Sequence, residues 1–301
     1  VRVEADVTEN ATVFAEHRPA MIGAAYRVLG KMADAEDAVQ ETWLRFADVD
    51  LARVEHPRAY LLQAVTRQSL NAVRHQLRQR ESYIGPWLPE PIADVTEAGA
   101  DAAAELSDSV SLAMLVVLES LSPTERATFV LHDVFGLGFD EIADTLGKTP
   151  AAVRQVASRA RGRVRERAPR HPVDKRTHRE VTERFLAAAV GGSLEDLVSM
   201  LAPDVVMYTD GGGFKKAALQ PIRTPEKVLR FVLGVLSKPD APIRLQLAEL
   251  NGEAAILGLD ATGVDSAISF VLDGDKVTEI YVVRNPEKLG RVSAASADSM
   301  D

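Results

Sequence analysis

The sequence predicts a multidomain chain in which two all-α helical units precede an α+β domain. Three observations carry that expectation. Apolar residues recur at three- and four-residue spacing from Ala11 to about Arg80, and again from Ser109 to about Ala168. A Pro-, Gly- and acid-rich stretch, residues 81–108, separates the two runs. Beyond Lys175 helical stripes give way to alternating apolar runs punctuated by Asn251-Gly252 and Asp273-Gly274.

In the first run Val13, Ile22, Tyr26, Leu29, Val39, Trp43, Leu61, Leu62 and Val65 supply the stripes, with breaks expected from Gly30 to Asp34, around Asp48 to Arg53, and at His56-Pro57. In the second run Leu112, Leu115, Val116, Leu118 and Leu121 form the core of one helix. Ser122-Pro123-x-Glu125 reads as a capping-box start for the next. A short helix over Phe139 to Leu146 then stops at Gly147, a residue suited to the left-handed conformation of a helix end. Thr149 caps a further helix and Pro150 fits its first turn.

Ala143, Gly147 and Val153 place their ends ten residues apart, the spacing of a helix-turn-helix. Val153, Val156, Ala160 and Val164 line the packing side of its second helix, so Thr149, Ala151, Arg154, Gln155 and Ser158 project where a recognition helix meets base edges. Arg159, Arg161, Arg163, Arg165 and Arg167 extend the positive surface toward phosphates. A surface hairpin with solvated arginines is the bland reading. The agreement of small residue, glycine, cap and basic face points instead to contact with DNA.

In the last third, helical stripes at Val181, Phe185 and Leu186, and at Leu194, Leu197 and Val198, precede an apolar segment from Val205 to Tyr208. A helix is expected over Pro225 to Leu236. Strands are expected at 243–247, 254–259, 267–272 and 277–283, forming a bent antiparallel sheet.

The chain of 301 residues is 46% hydrophobic and contains no cysteine, which excludes disulfides, zinc fingers and thiol nucleophiles. No apolar run is long enough to cross a membrane, and VRVEADVTEN lacks signal-peptide character, so the cytoplasm is the expected compartment. The net charge of -9 hides strong partition: residues 81–145 hold 1 basic and 13 acidic side chains, whereas residues 146–179 hold 11 basic and 2 acidic. Adjacent blocks of opposite sign are expected to meet different surfaces.

Two segments resemble the extracytoplasmic-function group of bacterial RNA polymerase sigma factors. AEDAVQETWLRF (Ala35 to Phe46) with PRAYLLQAVTRQSLNAVRHQLR (Pro57 to Arg78) is similar to sigma region 2, and Leu118 to Arg165 to sigma region 4 with its helix-turn-helix. Residues 176–290, ending in FVLDGDKVTEIYVVRNPEKL, resemble the SnoaL-like branch of the NTF2-like fold, a cone of helices against a curved sheet. The arrangement is similar to a subgroup with this domain fused on. The resemblance implies region 2 over 8–80, a linker over 81–108, region 4 over 109–168, a joint at 169–175, a regulatory SnoaL-like domain over 176–290 and a disordered tail at 291–301.

It also implies partners and sites. Glu36, Asp37, Gln40, Glu41, Trp43 and Leu44 form either a solvated helix with Trp43 in the core or a docking face; the resemblance selects docking on core polymerase. Arg58, Arg67, Asn71, Arg74 and Arg78, with Gln68, His75 and Arg80 beside them, are expected at the -10 promoter element. The Val49 to Glu55 loop corresponds to a flipped-base pocket. The linker is either an acidic spacer or a strand that mimics nucleic acid in the polymerase channel. Region 4 is expected at the -35 element.

Trp87, Leu88 and Pro89 in WLPEP, together with the Asp210-Gly211-Gly212-Gly213 turn, are expected to form a regulatory contact. A separate anti-sigma protein is then unnecessary, and a ligand for the C-terminal domain is left open. His178, Asp204, Tyr208, Asp210 and Asp260 are the polar groups a pocket there could use, but each reads as a turn, surface or domain-entry residue, so no catalysis, cofactor or metal is expected.

Overall fold

The computed structural model describes residues 2–93, 110–236 and 243–292. It contains two units, one of residues 1–81 with 115–167 and the other of residues 82–114 with 168–301. The predicted 291–301 tail lies almost wholly outside the described residues, as does 94–108 of the predicted linker.

The first unit begins with α1 (Arg2–Leu29), α2 (Met32–Phe46) and α3 (Pro57–Arg80). They pack on one another and bury most of the predicted stripes, Ile22, Tyr26, Leu29, Val39, Leu61, Leu62 and Val65, together with Met21, Ala25, Ala35 and Phe46. Gly30, at φ 71°, supplies the left-handed residue that stops α1. Asn10 on α1 is buried, and its Nδ2 lies 3.1, 2.9 and 2.9 Å from the carbonyls of Phe46, Ala47 and Val49. One amide therefore satisfies the open end of α2 and ties down the loop that follows.

The same unit continues with α4 (Leu112–Glu119), α5 (Pro123–Phe129), a π-helical turn at Val130–Val134, α6 (Phe139–Leu146) and α7 (Pro150–Arg167). The Ser122–Glu125 capping box is formed. Gly147, at φ 62°, ends α6, and the Thr149 hydroxyl accepts the Ala152 N–H at the start of α7. Ile142, Ala143, Val153, Val156, Ala157 and Ala160 are buried between the last two helices; Val164 is only half-buried.

In the second unit α8 (Lys175–Gly191), α9 (Leu194–Met200) and α10 (Pro225–Leu236) accompany a six-stranded sheet. Its strands are β1 (Leu201–Asp210), β2 (Ile222–Arg223), β3 (Arg244–Leu250), β4 (Glu253–Asp260), β5 (Gly263–Asp273) and β6 (Lys276–Val283), in the order β2-β1-β6-β5-β4-β3. Asn251 and Gly252, both at positive φ, close the β3–β4 hairpin.

The sheet corrects one expectation: it is mixed. β1 runs parallel to β6, pairing Met207 with Ile280 and Asp210 with Val283. A helix and four strands intervene between the two in sequence, so no tight turn dictates their relative direction. The helices bury their apolar faces on the sheet, with Val181, Phe185, Leu197, Val228, Ile256 and Phe270 in one core.

Candidate nucleic-acid interface and linker seat

On α7 the predicted reading residues Thr149, Ala151, Arg154, Gln155 and Ser158 are all exposed, on the face opposite buried Val153, Val156 and Ala157. Arg154 is steadied over the Phe139 ring of α6, 6.0 Å from its centroid. The arginines expected to run on toward phosphates divide into two sets. Arg161 is tied to Asp133 at 2.6 Å, and Arg163 to Glu125 at 2.8 Å with Arg159 at 3.6 Å from the same carboxylate. These three therefore tie α7 to the segments beneath it and are partly neutralised. Arg165 and Arg167 are exposed and make no such pair among the described residues.

The Glu125 carboxylate is the centre of that support, and sequence reasoning had used it only as a cap. Burial pushes its pKa up, but the Ser122 hydrogen bonds and the Arg163 and Arg159 charges outweigh this and hold it below the usual carboxylate range. The signal available in sequence was the spacing of Arg159 and Arg163, four apart on one helix face.

Along α3, Arg67, Asn71, Arg74 and Arg78 share one exposed stripe at helical spacing, and Asn71 Oδ1 accepts a long 3.4 Å hydrogen bond from Arg74. Arg58 stands at the other end of the helix, where its guanidinium lies 5.8 Å from the Phe135 ring centroid. Arg80 does not join this surface. It turns to Glu119 and is only 17% exposed at its side chain.

On α2 the exposed stripe is Asp37, Gln40, Glu41 and Leu44, with Leu44 61% exposed. Glu36 and Trp43, expected within the same face, are half-buried. The Trp43 ring packs edge-on against Phe14 at 5.1 Å between centroids, so it supports the helix from beneath.

In the second unit the first part of the linker is seated on the C-terminal domain. Asp210, the last residue of β1, accepts the Leu88 N–H at 2.9 Å, the Tyr83 hydroxyl, and Lys288 Nζ at 2.7 Å. Lys288 comes from a 3-10 turn at Pro286–Lys288 and also donates to the Leu88 carbonyl at 2.6 Å. Its ammonium lies 3.2 Å from the Trp87 ring centroid, a close cation–π contact. Burial, then the hydrogen bond to Asp210, pushes the Tyr83 hydroxyl pKa well up, so it stays a donor. Further along, Leu88, Pro89 and Glu90 are buried, Asn251 receives the Ile92 N–H, and Ala93 forms an antiparallel bridge with Leu250.

The glycine turn is ordered rather than a loose loop. Asp210 Oδ1 accepts the Gly212 N–H at 3.1 Å, and the Gly211 carbonyl receives the N–H groups of Phe214 and Lys215. Gly212 and Gly213 hold positive φ, and a Cβ on Gly213 would fall 3.1 Å from Ile84 of the linker. Asp210 and this turn are thus part of the seat, as expected of a contact, while the remaining polar candidates are dispersed. Asp204 is exposed, Asp260 closes a turn with Thr262, and buried His178 bonds the Phe270 carbonyl through Nε2.

Models of two families match the chain: Sigma-70 region 2 over residues 13–79 and Sigma-70, region 4, over residues 111–164. The sequence is 39% identical over 284 residues to the ECF RNA polymerase sigma factor SigJ of Mycobacterium tuberculosis, covering 90% of each chain. It is 30% identical over 280 residues to the probable ECF sigma factor SigI of the same organism, covering 92% of this chain and 94% of that protein. The crystal structure of the M. tuberculosis factor SigJ superposes with a TM-score of 0.76 at 36% identity, covering 93% of this chain and 98% of that one. With region 2, region 4 and an α+β domain in the same order, this chain belongs to the extracytoplasmic-function RNA polymerase sigma factors, non-enzymatic subunits that bring core polymerase to promoter DNA and initiate transcription.

Proposed function

We propose that the C-terminal domain modulates this sigma factor in cis by gripping its linker. The carrying observation is the Asp210–Lys288 pair, closed over by Tyr83, Trp87 and Leu88 of the linker. A linker seated in this way is held out of the polymerase channel, so the seat and the channel compete for one segment.

In this reading residues 8–80 form region 2. Asp37, Gln40, Glu41 and Leu44 dock on core polymerase, and Arg67, Asn71, Arg74 and Arg78 meet the -10 element. Residues 109–168 form region 4, with Arg154, Gln155 and Ser158 reading the -35 element from α7. Residues 81–108 are the linker, 169–175 a joint and 176–290 the regulatory domain, which makes a separate anti-sigma protein unnecessary. No described helix is long and apolar enough to cross a membrane, which fits a factor working in the cytoplasm.

The test is promoter-dependent transcription in vitro with core enzyme, comparing the full chain with Asp210→Asn and Gly212→Ala. A Cβ at Gly212 would overlap the Asn285 amide and press the Tyr83 hydroxyl at 3.1 Å, at a residue already in left-handed conformation. Both variants are expected to change transcript yield at equal protein concentration. Unchanged yield in both would remove the regulatory role.

A further inference from the structure

Helix α7 rests on its support along a face of small side chains. Val153, Val156, Ala157 and Ala160 are buried there, and none is larger than valine. Such a face supplies apolar burial but few knobs that would stop the helix from rolling about its own axis. Roll matters for reading. A rotation of about 20° moves a side-chain tip about 5 Å from the axis by about 2 Å, enough to lose a hydrogen bond to a base edge.

Ion pairs hold the roll instead. At helical spacing Arg154, Gln155 and Ser158 take the outer face of α7, with Arg161 on one flank and Arg159 and Arg163 on the other. Arg161 pairs with Asp133 of the π-helical turn at 2.6 Å. On the opposite flank Arg159 Nε lies 3.6 Å from Glu125 Oε1, and Arg163 Nη1 donates to Glu125 Oε2 at 2.8 Å. A roll in either direction therefore stretches one of the two ties.

The Glu125 tie is the firmer one. Its side chain is 7% exposed. Oε2 also accepts the Ser122 N–H at 3.1 Å and the Ser122 hydroxyl at 2.7 Å, so the capping box of α5 fixes the direction of the carboxylate. Stripping a buried carboxylate of its arginines is costly, so a phosphate competes for side chains that are already well held.

We propose that Glu125 is a positioning residue for promoter reading: it sets the roll of α7 and withholds Arg159 and Arg163 from phosphate, which favours base readout over sequence-independent binding. Neither effect needs Glu125 to touch DNA. The proposal rests on α7 as the helix that reads the promoter.

The test uses the full chain, a duplex that the unaltered protein selects from a random pool, and a scrambled duplex of the same composition, titrated at several salt concentrations. Glu125→Gln removes the charge and keeps the shape, and glutamine also serves at this position of a capping box, so α5 keeps its cap. In this variant affinity for the scrambled duplex should rise about fivefold, with the salt slope steeper by about 0.9 for each arginine that reaches a phosphate. Affinity for the selected duplex should stay level, so the ratio between the two falls about fivefold, the lower end of what one good base contact supplies. Adding Arg159→Gln and Arg163→Gln to Glu125→Gln should return the slope to its unaltered value while the ratio stays reduced. A purely structural role does not give that split. A steeper slope with an unchanged ratio would leave Glu125 a charge mask only, and an unchanged slope would show that the arginines are not withheld; either overturns the proposal. Weaker binding to both duplexes, with a lowered melting temperature in the same samples, would do so too. A pool that yields no preferred duplex would instead remove α7 as the reading helix, and the role of Glu125 with it.

Discussion

Lys288 Nζ lies 2.7 Å from Asp210 Oδ2, and neither side chain has any exposed surface. The two residues stand at the ends of neighbouring parallel strands: Asp210 closes β1, and Lys288 follows β6 by one short turn. Parallel pairing is what brings both to the same end of the sheet, where the linker crosses. Taking two charges out of water is costly, so the pair depends on the extra partners around it: the Leu88 amide and carbonyl, the Tyr83 hydroxyl and the Trp87 face. All of those partners belong to the linker. The domain and the linker therefore stabilise each other at this point.

Lys288→Met should destabilise the C-terminal domain by about 3–5 kcal/mol, because it leaves Asp210 as an uncompensated buried charge. Urea unfolding of the full chain measures this. Adding Asp210→Asn to Lys288→Met should recover part of the loss, since no bare charge then remains. Both forms should become cleavable by protease within residues 82–93. A Lys288→Met chain with native stability and an uncut linker would show that the seat is held by packing alone.

Recognition and support separate along α7. Arg154→Ala and Gln155→Ala should each cost about 1–3 kcal/mol on the preferred promoter and relax specificity at one position. Arg165→Ala should weaken all promoters alike. Arg161→Ala should matter little, because Asp133 already holds that side chain. Asp133→Asn should raise affinity for every sequence and steepen the salt dependence by about 0.9 in slope, the signature of one added phosphate contact. Binding titrations at several salt concentrations check all five. A sequence-specific effect of Arg161 would mean that it leaves Asp133 on DNA.

Asp265 gives a pH dependence of known sign. Burial raises its pKa, but the Arg284 hydrogen bonds and those from Lys215 outweigh it, so the folded value is lower than the unfolded one. Its contribution is then fully present above the ordinary carboxylate range and is lost as pH falls through the depressed folded value. Stability of the C-terminal domain should fall on acidification below about pH 4, and Asp265→Asn should flatten that slope. Melting curves from neutral to acidic pH test it, and an equal slope in the variant would discount the Arg284 pair.

Local grammar carried much of this architecture. Gly147, Thr149 and Pro150 punctuate the helix-turn-helix within a few residues, and helix α10 runs from Pro225 to Leu236 as periodicity predicts. Asn251-Gly252 marked a hairpin because that turn needs two residues at positive φ. What escaped was long-range. The parallel β1–β6 pair joins segments about seventy residues apart, and nothing local encodes it. Lys288 was not singled out because lysine is rarely buried, and only a partner such as Asp210 makes that tenable. Composition shows the charge of Arg161 and Arg163 but not where an opposite charge will pack. Asn10, which ties the end of α2 to the following loop, gave no signal beyond being one amide on a long helix.

Helix α2, the face proposed for polymerase docking, offers the sharpest separation of binding from folding. Leu44 is 61% exposed at the end of the Asp37, Gln40 and Glu41 stripe, whereas Trp43 packs on Phe14. Trp43→Ala should therefore destabilise region 2 by about 3–5 kcal/mol, at the level of other large aromatic truncations, and any loss of polymerase binding would follow from unfolding. Leu44→Ala, by contrast, removes a solvent-facing side chain and should leave the melting temperature within the narrow range typical of surface changes, about 0.5 kcal/mol. If Leu44 is the apolar anchor of the docking face, its loss should cost more than 1 kcal/mol, roughly fivefold or more, in affinity for core enzyme. Asp37→Lys should act in the same direction and become less severe at high salt, since it works through exposed charge. Core binding by co-elution or titration, read beside thermal unfolding of the same samples, distinguishes the two residues. Normal core affinity in both Leu44→Ala and Asp37→Lys would place the docking face elsewhere on region 2.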